Sequence, residues 1–308
     1  MTYTQSPHAV LMIRPSAFGY NEETASSNAF QTMPDQDDSI EIQSKALSEF
    51  DQMVDTLKAH DVEVLVIEDT KEPITPDAIF PNNWISLQPD GQVIIYPMEA
   101  PSRRAEKRMD VVEYLKSKYQ ISKISDLSNN ENRFLEGTGS IIFDHPKRKA
   151  YASYSSRTAP ELLEEVCNIL NYEAVGFNAV DRHGKDIYHT NVMMCVGSGY
   201  ALICLDAIQN EDDLEKVINS LNESDKKIIS ISYDQMEHFA GNMLEVQATS
   251  GERFLVLSES AFQSLVNGQI SAITEFVDLI PIGIPTIELY GGGSVRCMMA
   301  GIHLPNKE

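Results

Sequence analysis

Phe80-Pro81-Asn82-Asn83-Trp84-Ile85-Ser86-Leu87 starts on an aromatic ring, passes through a turn-forming cluster and enters a short apolar run. A second apolar run, Val93–Tyr96, follows across Gln88-Pro89-Asp90-Gly91, and Pro-Asp-Gly between two such runs signals a hairpin. The plan recurs in Phe134–Phe143 (FLEGTGSIIF), Tyr188–Cys195 (YHTNVMMC), Phe239–Val246 (FAGNMLEV) and Tyr290–Cys297 (YGGGSVRC). Their starts, at 80, 134, 188, 239 and 290, lie 54, 54, 51 and 51 residues apart, which is the spacing of a repeat.

Around each start the chain reads as a ββαβ unit. Ser102–Tyr119 places Met109, Val112 and Leu115 at helical spacing, and Pro160–Leu170 places Leu162, Leu163, Val166 and Ile169 on one face. Short strands are expected at Ile121–Ile124, Ala174–Phe177, Lys227–Ile231 and Val277–Ile282. The opening residues fit the same plan, with strands at Ala9–Ile13 and Val62–Ile67 flanking a helix at Ser39–Ala59. A unit this small cannot bury its own apolar face, so five of them are expected to stack about an axis. The expected fold is a five-bladed α/β propeller with a single central cavity, one catalytic domain over residues 1–308. An open α/β sandwich with coincidental spacing is the alternative.

Composition narrows the function. Twenty-four Lys and Arg against 46 Asp and Glu give a formal charge of −22, which disfavours nucleic acid and anionic membrane surfaces as partners. No apolar run approaches the roughly 18 residues of a membrane span, and no signal peptide opens the sequence, so a cytoplasmic protein is expected. Cys167, Cys195, Cys204 and Cys297 show neither CxxC pairing nor metal-ligand spacing and read as free thiols. Cys195 and Cys204 lie in apolar runs and read as packing residues.

Equivalent strand starts in stacked units converge on the axis. The residues there are Asn82 and Asn83, Glu136, His189 and Asn191, Asn242, and the Gly291–Gly293 run leading to Cys297. A thiol, an imidazole and a carboxylate from three units are the parts of a nucleophilic site. The ordinary thiol, with a pKa near 8.5, needs a nearby imidazolium to stabilise its thiolate, and that ring then protonates the leaving amine. The carboxylate orients the ring. Cys297, His189 and Glu136 take these roles in turn.

On these residues the chain resembles the pentein, or guanidine-modifying, superfamily of arginine deiminases, dimethylarginine hydrolases and amidinotransferases. The motifs are Gly291-Gly-Gly-Ser-Val-Arg-Cys297, His189-Thr-Asn191 and Glu136-Gly-Thr-Gly139, and the likeness covers essentially the whole chain. Ile13-Arg14-Pro15 and Asn28–Gln31 resemble the bacterial amidinotransferase-like branch that includes citrulline-utilising hydrolases. The resemblance implies a five-bladed propeller and a C-terminal nucleophilic cysteine. It departs at two aspartates that would face a guanidinium, replaced here by Asn83 and Asn191, while Gly139 stands where a second acid is expected.

An unpartnered charge in a dry pocket costs about 3–5 kcal/mol, whereas an amide meets both the NH2 and the carbonyl oxygen of a urea. The expected reaction is therefore hydrolysis of citrulline to ornithine through an S-carbamoyl intermediate, with no metal and no organic cofactor. Arginine deiminase, dimethylarginine hydrolase or amidinotransferase activity is the alternative, and a non-catalytic propeller binding module is the alternative of another class. Asn82, Asn83 and Asn191 are the expected substrate contacts. Arg14 and Arg157 are the preferred clamps for an α-carboxylate, with Arg133 and Arg296 also in view. His145 and His183 read as exposed and His303 as structural. The partner is a small amino acid; a homo-oligomer is compatible with the sequence.

Overall fold

β1 (Ala9–Arg14) runs parallel to β2 (Glu63–Glu68), with the helix Ser39–Ala59 crossing between them. A parallel pair needs such a crossover, and an amphipathic helix supplies it while covering the sheet. β3 (Ile85–Leu87) then pairs antiparallel with β4 (Gln92–Ile95), which runs parallel to β5 (Lys123–Asp126). β6 (Ile142–Asp144), β7 (Lys149–Ser153) and β8 (Glu173–Phe177) repeat that plan. So do β9 (Met194–Val196), β10 (Tyr200–Ile203) and β11 (Lys227–Ser230). β12 (Leu244–Gln247), β13 (Arg253–Ser258) and β14 (Asp278–Ile282) follow it again. Finally β15 (Ala300–Ile302) pairs antiparallel with β1, so the fifth unit, β15-β1-β2, is drawn from both ends of the chain.

This computed structural model describes residues 3–25, 27–28, 30–34, 38–130 and 132–307. Ala29, within the Asn28–Gln31 motif, lies outside the described residues. The result is an α/β fold of five repeated units. A single parallel pair, Ile302 with Leu87, joins two units in the six-stranded sheet β2-β1-β15-β3-β4-β5, and the other three form separate three-stranded sheets. First strands of neighbouring units meet: β15 with β3, β6 with β9, and β9 with β12. Among the described residues no helix is long and apolar enough to cross a membrane.

The crossover helices show why the sequence takes this form. In Pro160–Leu170, proline opens the first turn, Leu162, Leu163, Val166, Cys167 and Leu170 are buried, and Asn171 ends the helix in the left-handed region at φ 56°. Truncating one such leucine to alanine costs about 2–5 kcal/mol. Ser102–Tyr119 differs from its expected single helix. It forms Pro101–Arg104 and Met109–Lys118, because Glu106 turns inward between them to meet the buried Arg103.

Candidate active site

In every unit a short turn precedes the first strand, and these turns carry the polar residues. Asn82 and Asn83 lie in the single turn Pro81–Asn83 before β3. Glu136 immediately precedes the turn Gly137–Ser140 before β6, and His189 precedes Thr190–Met193 before β9. Asn242 stands just before β12, and Cys297 sits in the turn before β15. All six are at most 5 % exposed.

Cys297 accepts two amide hydrogen bonds at its sulfur, from Asn191 Nδ2 at 3.3 Å and from Asn242 Nδ2 at 3.2 Å. Asn242 is itself held by the Arg296 N–H, which donates to its Oδ1 at 3.1 Å. The sulfur is thus placed as an acceptor, the role a thiolate fills. The other three thiols differ. Burial pushes Cys167 and Cys195 up to about 12 and Cys204 to about 11, which keeps them protonated and inert.

His189 donates from Nε2 to Glu136 Oε2 at 2.8 Å. Glu136 also accepts from the Glu99 N–H at 3.0 Å and from Arg157 at 3.4 Å. Burial would raise the Glu136 carboxyl, but Arg157, the bond from His189 and Arg103 outweigh it and hold the group well below the usual range. An ionised acceptor at Nε2 fixes the proton there and leaves Nδ1 as the lone pair. Burial lowers His189 to about 4 against the pull of Glu136, with Arg157 and Arg103 adding to the depression. The imidazole is therefore a neutral base and not a standing imidazolium, which differs from the thiolate partner expected from the sequence. Gly139 makes room for this arrangement: a Cβ there would collide with Asn83 Nδ2 and lie 2.9 Å from His189 Nδ1.

Asn83 accepts at Oδ1 from Arg103 at 2.9 Å, and its Nδ2 is buried without a partner. Because a guanidinium has no acceptor, the amide has one permitted orientation, with its NH2 group away from Arg103. Arg103 forms a two-point pair with Glu106 at 2.8 and 2.9 Å and approaches Asp77 at 3.7 Å. Burial alone would weaken this cation, yet Glu106 and Asp77 raise its pKa above the ordinary value. Asp77, 2 % exposed, accepts from Asn21 Nδ2 at 2.8 Å through Oδ2, while its Oδ1 has no partner.

Asp77, Asn83, Arg103, Arg157, His189 and Cys297 line one cavity of about 20 Å³. That is room for a water or two. Thr24 and Asn28 complete its lining. Arg157 donates to Thr24 O at 3.1 Å, Asn28 donates to Gly292 O at 3.2 Å, and Phe30 rests on Phe239 at 5.2 Å. Gly292, at φ 61°, ends the helix Pro285–Gly291, and a Cβ there would lie 2.6 Å from Asn28 Nδ2.

The structure thus gathers Cys297, His189, Glu136, Asn83, Asn191 and Arg157. Asn82 is adjacent and fully buried, with neither amide atom partnered. Arg14 is not gathered: at the end of β1 it points outward and pairs with Asp51 at 2.8 Å and Glu68 at 3.6 Å, which corrects its expected substrate role. Arg133 is exposed, and Arg296 lines a different cavity. Sequence reasoning missed Asp77 and Arg103. Thr75-Pro-Asp just ahead of the first repeat start was an available signal for Asp77; Arg103, in a run of charged residues, carried none.

A thiol, a neutral imidazole and an ionised carboxylate set among amides belong with hydrolases of the pentein superfamily, which act on guanidino and ureido C–N bonds. The family model for N,N dimethylarginine dimethylhydrolase, eukaryotic, matches residues 14–304, and the chain belongs to that family. No curated protein matches.

Solved structures share the fold. The N-terminal domain of the cyanobacterial arginine dihydrolase ArgZ, as a cysteine-to-serine mutant bound to substrate, is 17% identical with a TM-score of 0.75, over 96% of this chain and 98% of that one. The chain spans 40% of the longer ArgZ chain. A dimethylarginine hydrolase from Pseudomonas aeruginosa, complexed with citrulline, is 14% identical with a TM-score of 0.65, over 98% of this chain and 100% of that one.

Proposed function

We propose that the protein hydrolyses the terminal ureido group of a citrulline-like amino acid to ornithine, with Cys297 as nucleophile, His189 as general base and acid, and Glu136 orienting the ring. The observation that carries this reading is the Asn83 amide. With Oδ1 committed to Arg103, it offers the site two N–H donors, which suit the carbonyl oxygen of a urea and oppose the NH2 of a guanidinium. Asn191 Oδ1, buried and unpartnered, supplies a complementary acceptor.

In the proposed reaction His189 Nδ1 takes the Cys297 proton as sulfur bonds to the ureido carbon. The imidazolium returns that proton to the side-chain nitrogen of the substrate as the C–N bond breaks and ornithine leaves. Water, deprotonated by the same nitrogen, then cleaves the S-carbamoyl thioester. The products are the free thiol and carbamate, which decays to carbon dioxide and ammonia. Arg157, which donates from Nε to Ser27 Oγ at 3.2 Å, is the proposed clamp for the α-carboxylate. A cavity of about 20 Å³ holds no amino acid, so side chains that line it must shift for substrate to bind.

A second reading, a guanidino amino acid processed through the same thiol, is favoured by the free Oδ1 of Asp77 and by the arginine dihydrolase likeness. Ornithine and ammonia release from citrulline, arginine and dimethylarginine, measured side by side, separates the two. Citrulline is expected to lead, and Asn83→Asp to shift the ratio of citrulline to arginine turnover by about 10²-fold toward arginine. Faster turnover of arginine by the unaltered protein sinks the first reading.

We further propose that the five units close into a five-bladed ring forming one catalytic domain of the citrulline-utilising branch, working in the cytoplasm. Support for the ring comes from Leu87, Phe143, Val196, Leu244 and Gly301, one from or beside each first strand, which line a single second cavity.

A further inference from the structure

That second cavity has no part in the chemistry above. It has a volume of about 50 Å³, room for three or four waters or one small ion. The charged or titratable residues in its lining are Arg296, His145, His303 and Cys195; no carboxylate is among them, although the chain carries 46. Gln5 spans its edge, donating to Phe143 O and Val196 O at 2.9 Å each and accepting from the His145 N–H.

Arg296 is 7 % exposed and donates to Met299 O at 3.0 Å. Among the described residues no acid forms an ion pair with it, unlike Arg103 and Arg157. Burial lowers it to about 10, with the Cys297 and Cys195 sulfurs opposing that shift, so it remains a cation at neutral pH. Burial also lowers His145 to about 3 and His303 well below its ordinary value, so neither ring adds standing charge. Their centroids are 4.1 Å apart. One buried cation with a planar fork of donors thus faces a small chamber lined by neutral polar groups.

We propose that this chamber binds a small oxyanion, a carboxylate, bicarbonate or phosphate, held by the Arg296 guanidinium. The fork matches two oxygens of such an anion, and its size excludes the amino acids expected at Cys297. The site also touches the nucleophile. The Arg296 N–H holds Asn242, and Asn242 donates to the Cys297 sulfur, so a ligand drawing on Arg296 acts one residue from the reacting atom.

The test uses the whole chain, titrated with sodium phosphate, bicarbonate or formate against sodium chloride at constant ionic strength. Thermal unfolding is expected to show a saturable rise of about 2–4 °C at tenfold the Kd with at least one oxyanion. Arg296→Met is expected to abolish it, and Arg296→Lys to weaken it. Phosphate alone acting identifies a tetrahedral ligand; formate and bicarbonate acting identify a planar one. If Arg296→Met fails to fold, the rate of Cys297 alkylation by iodoacetamide in the unaltered protein is the second readout, expected to change at least twofold and to saturate at the same anion concentration. Identical unfolding in all four salts, or a rise that persists in Arg296→Met, overturns the proposal. None of these outcomes depends on which amino acid the thiol attacks.

Discussion

Two cavities lie beside the first strands and the turns that precede them, and they meet buried charge in opposite ways. Around Cys297 every guanidinium has an acid: Arg103 has Glu106, and Arg157 has Glu136 and, at 3.4 Å, Glu99. Around Arg296 there is a backbone carbonyl and, among the described residues, no acid paired with it. A cation paired on one side becomes a positioning device, since its remaining donors are fixed in direction, as Arg103 fixes Asn83. A cation left unpaired at comparable burial is a demand for a partner. Net charge of −22 conceals this contrast, because the acids lie elsewhere.

The largest expected effect is chemical and confined to one side. Cys297→Ala is expected to reduce turnover by about 10⁴-fold or more while circular dichroism stays unchanged. Next comes the paired cation. Arg103→Met strands Glu106 and Asp77 and is expected to cost about 3–5 kcal/mol in urea unfolding. A loss below 1 kcal/mol would show that the near-side pair contributes nothing beyond an apolar filler.

Acid sensitivity should be intermediate. The folded pKa values of His189, His145 and His303 lie below the ordinary 6.5, so the unfolded chain binds protons first as pH falls. Stability contributed by each neutral ring is present above that value and is lost as pH falls below about 6.5, by about 2 kcal/mol at pH 5 for His189 and for His145. Glu106, raised to about 7 by burial, opposes this over the same range. A net fall in the urea midpoint between pH 7 and 5 is expected, reduced in His145→Gln; a midpoint that rises would mean these rings accept protons when buried. The smallest effect belongs to Arg296→Met, expected to change stability by less than about 1 kcal/mol in chloride buffer free of oxyanions, since no paired acid is stranded. A loss as large as that of Arg103→Met would reveal a counter-charge on the far side.

The repeat was legible because turn chemistry and apolar alternation are local. Pro89-Asp90-Gly91 specifies a turn wherever it stands, and the helix at Ser39–Ala59 was readable to the residue. Charge placement was not legible, because burial is decided by distant packing. His145 follows Asp144 and precedes Pro-Lys-Arg-Lys, and so read as exposed. The structure corrects this: it is 5 % exposed, stacked 5.4 Å from Phe143 and bonded to Tyr172 at 2.8 Å. His183, read the same way, is exposed. Arg14 failed in the opposite sense, since the Arg-Pro motif says nothing about which way a strand end faces. The meeting of Cys297, His189 and Glu136 was legible because equivalent positions in a repeat must converge, whatever surrounds them.

β15 follows Cys297 by three residues and is held between β1 and β3, where Ile302 pairs with Ala9 and Leu87, 293 and 215 residues earlier. Cys297 therefore takes its place among the amides only when β15 pairs with strands made long before it. A chain interrupted before residue 297 carries His189, Glu136 and the amides but lacks the sulfur they surround.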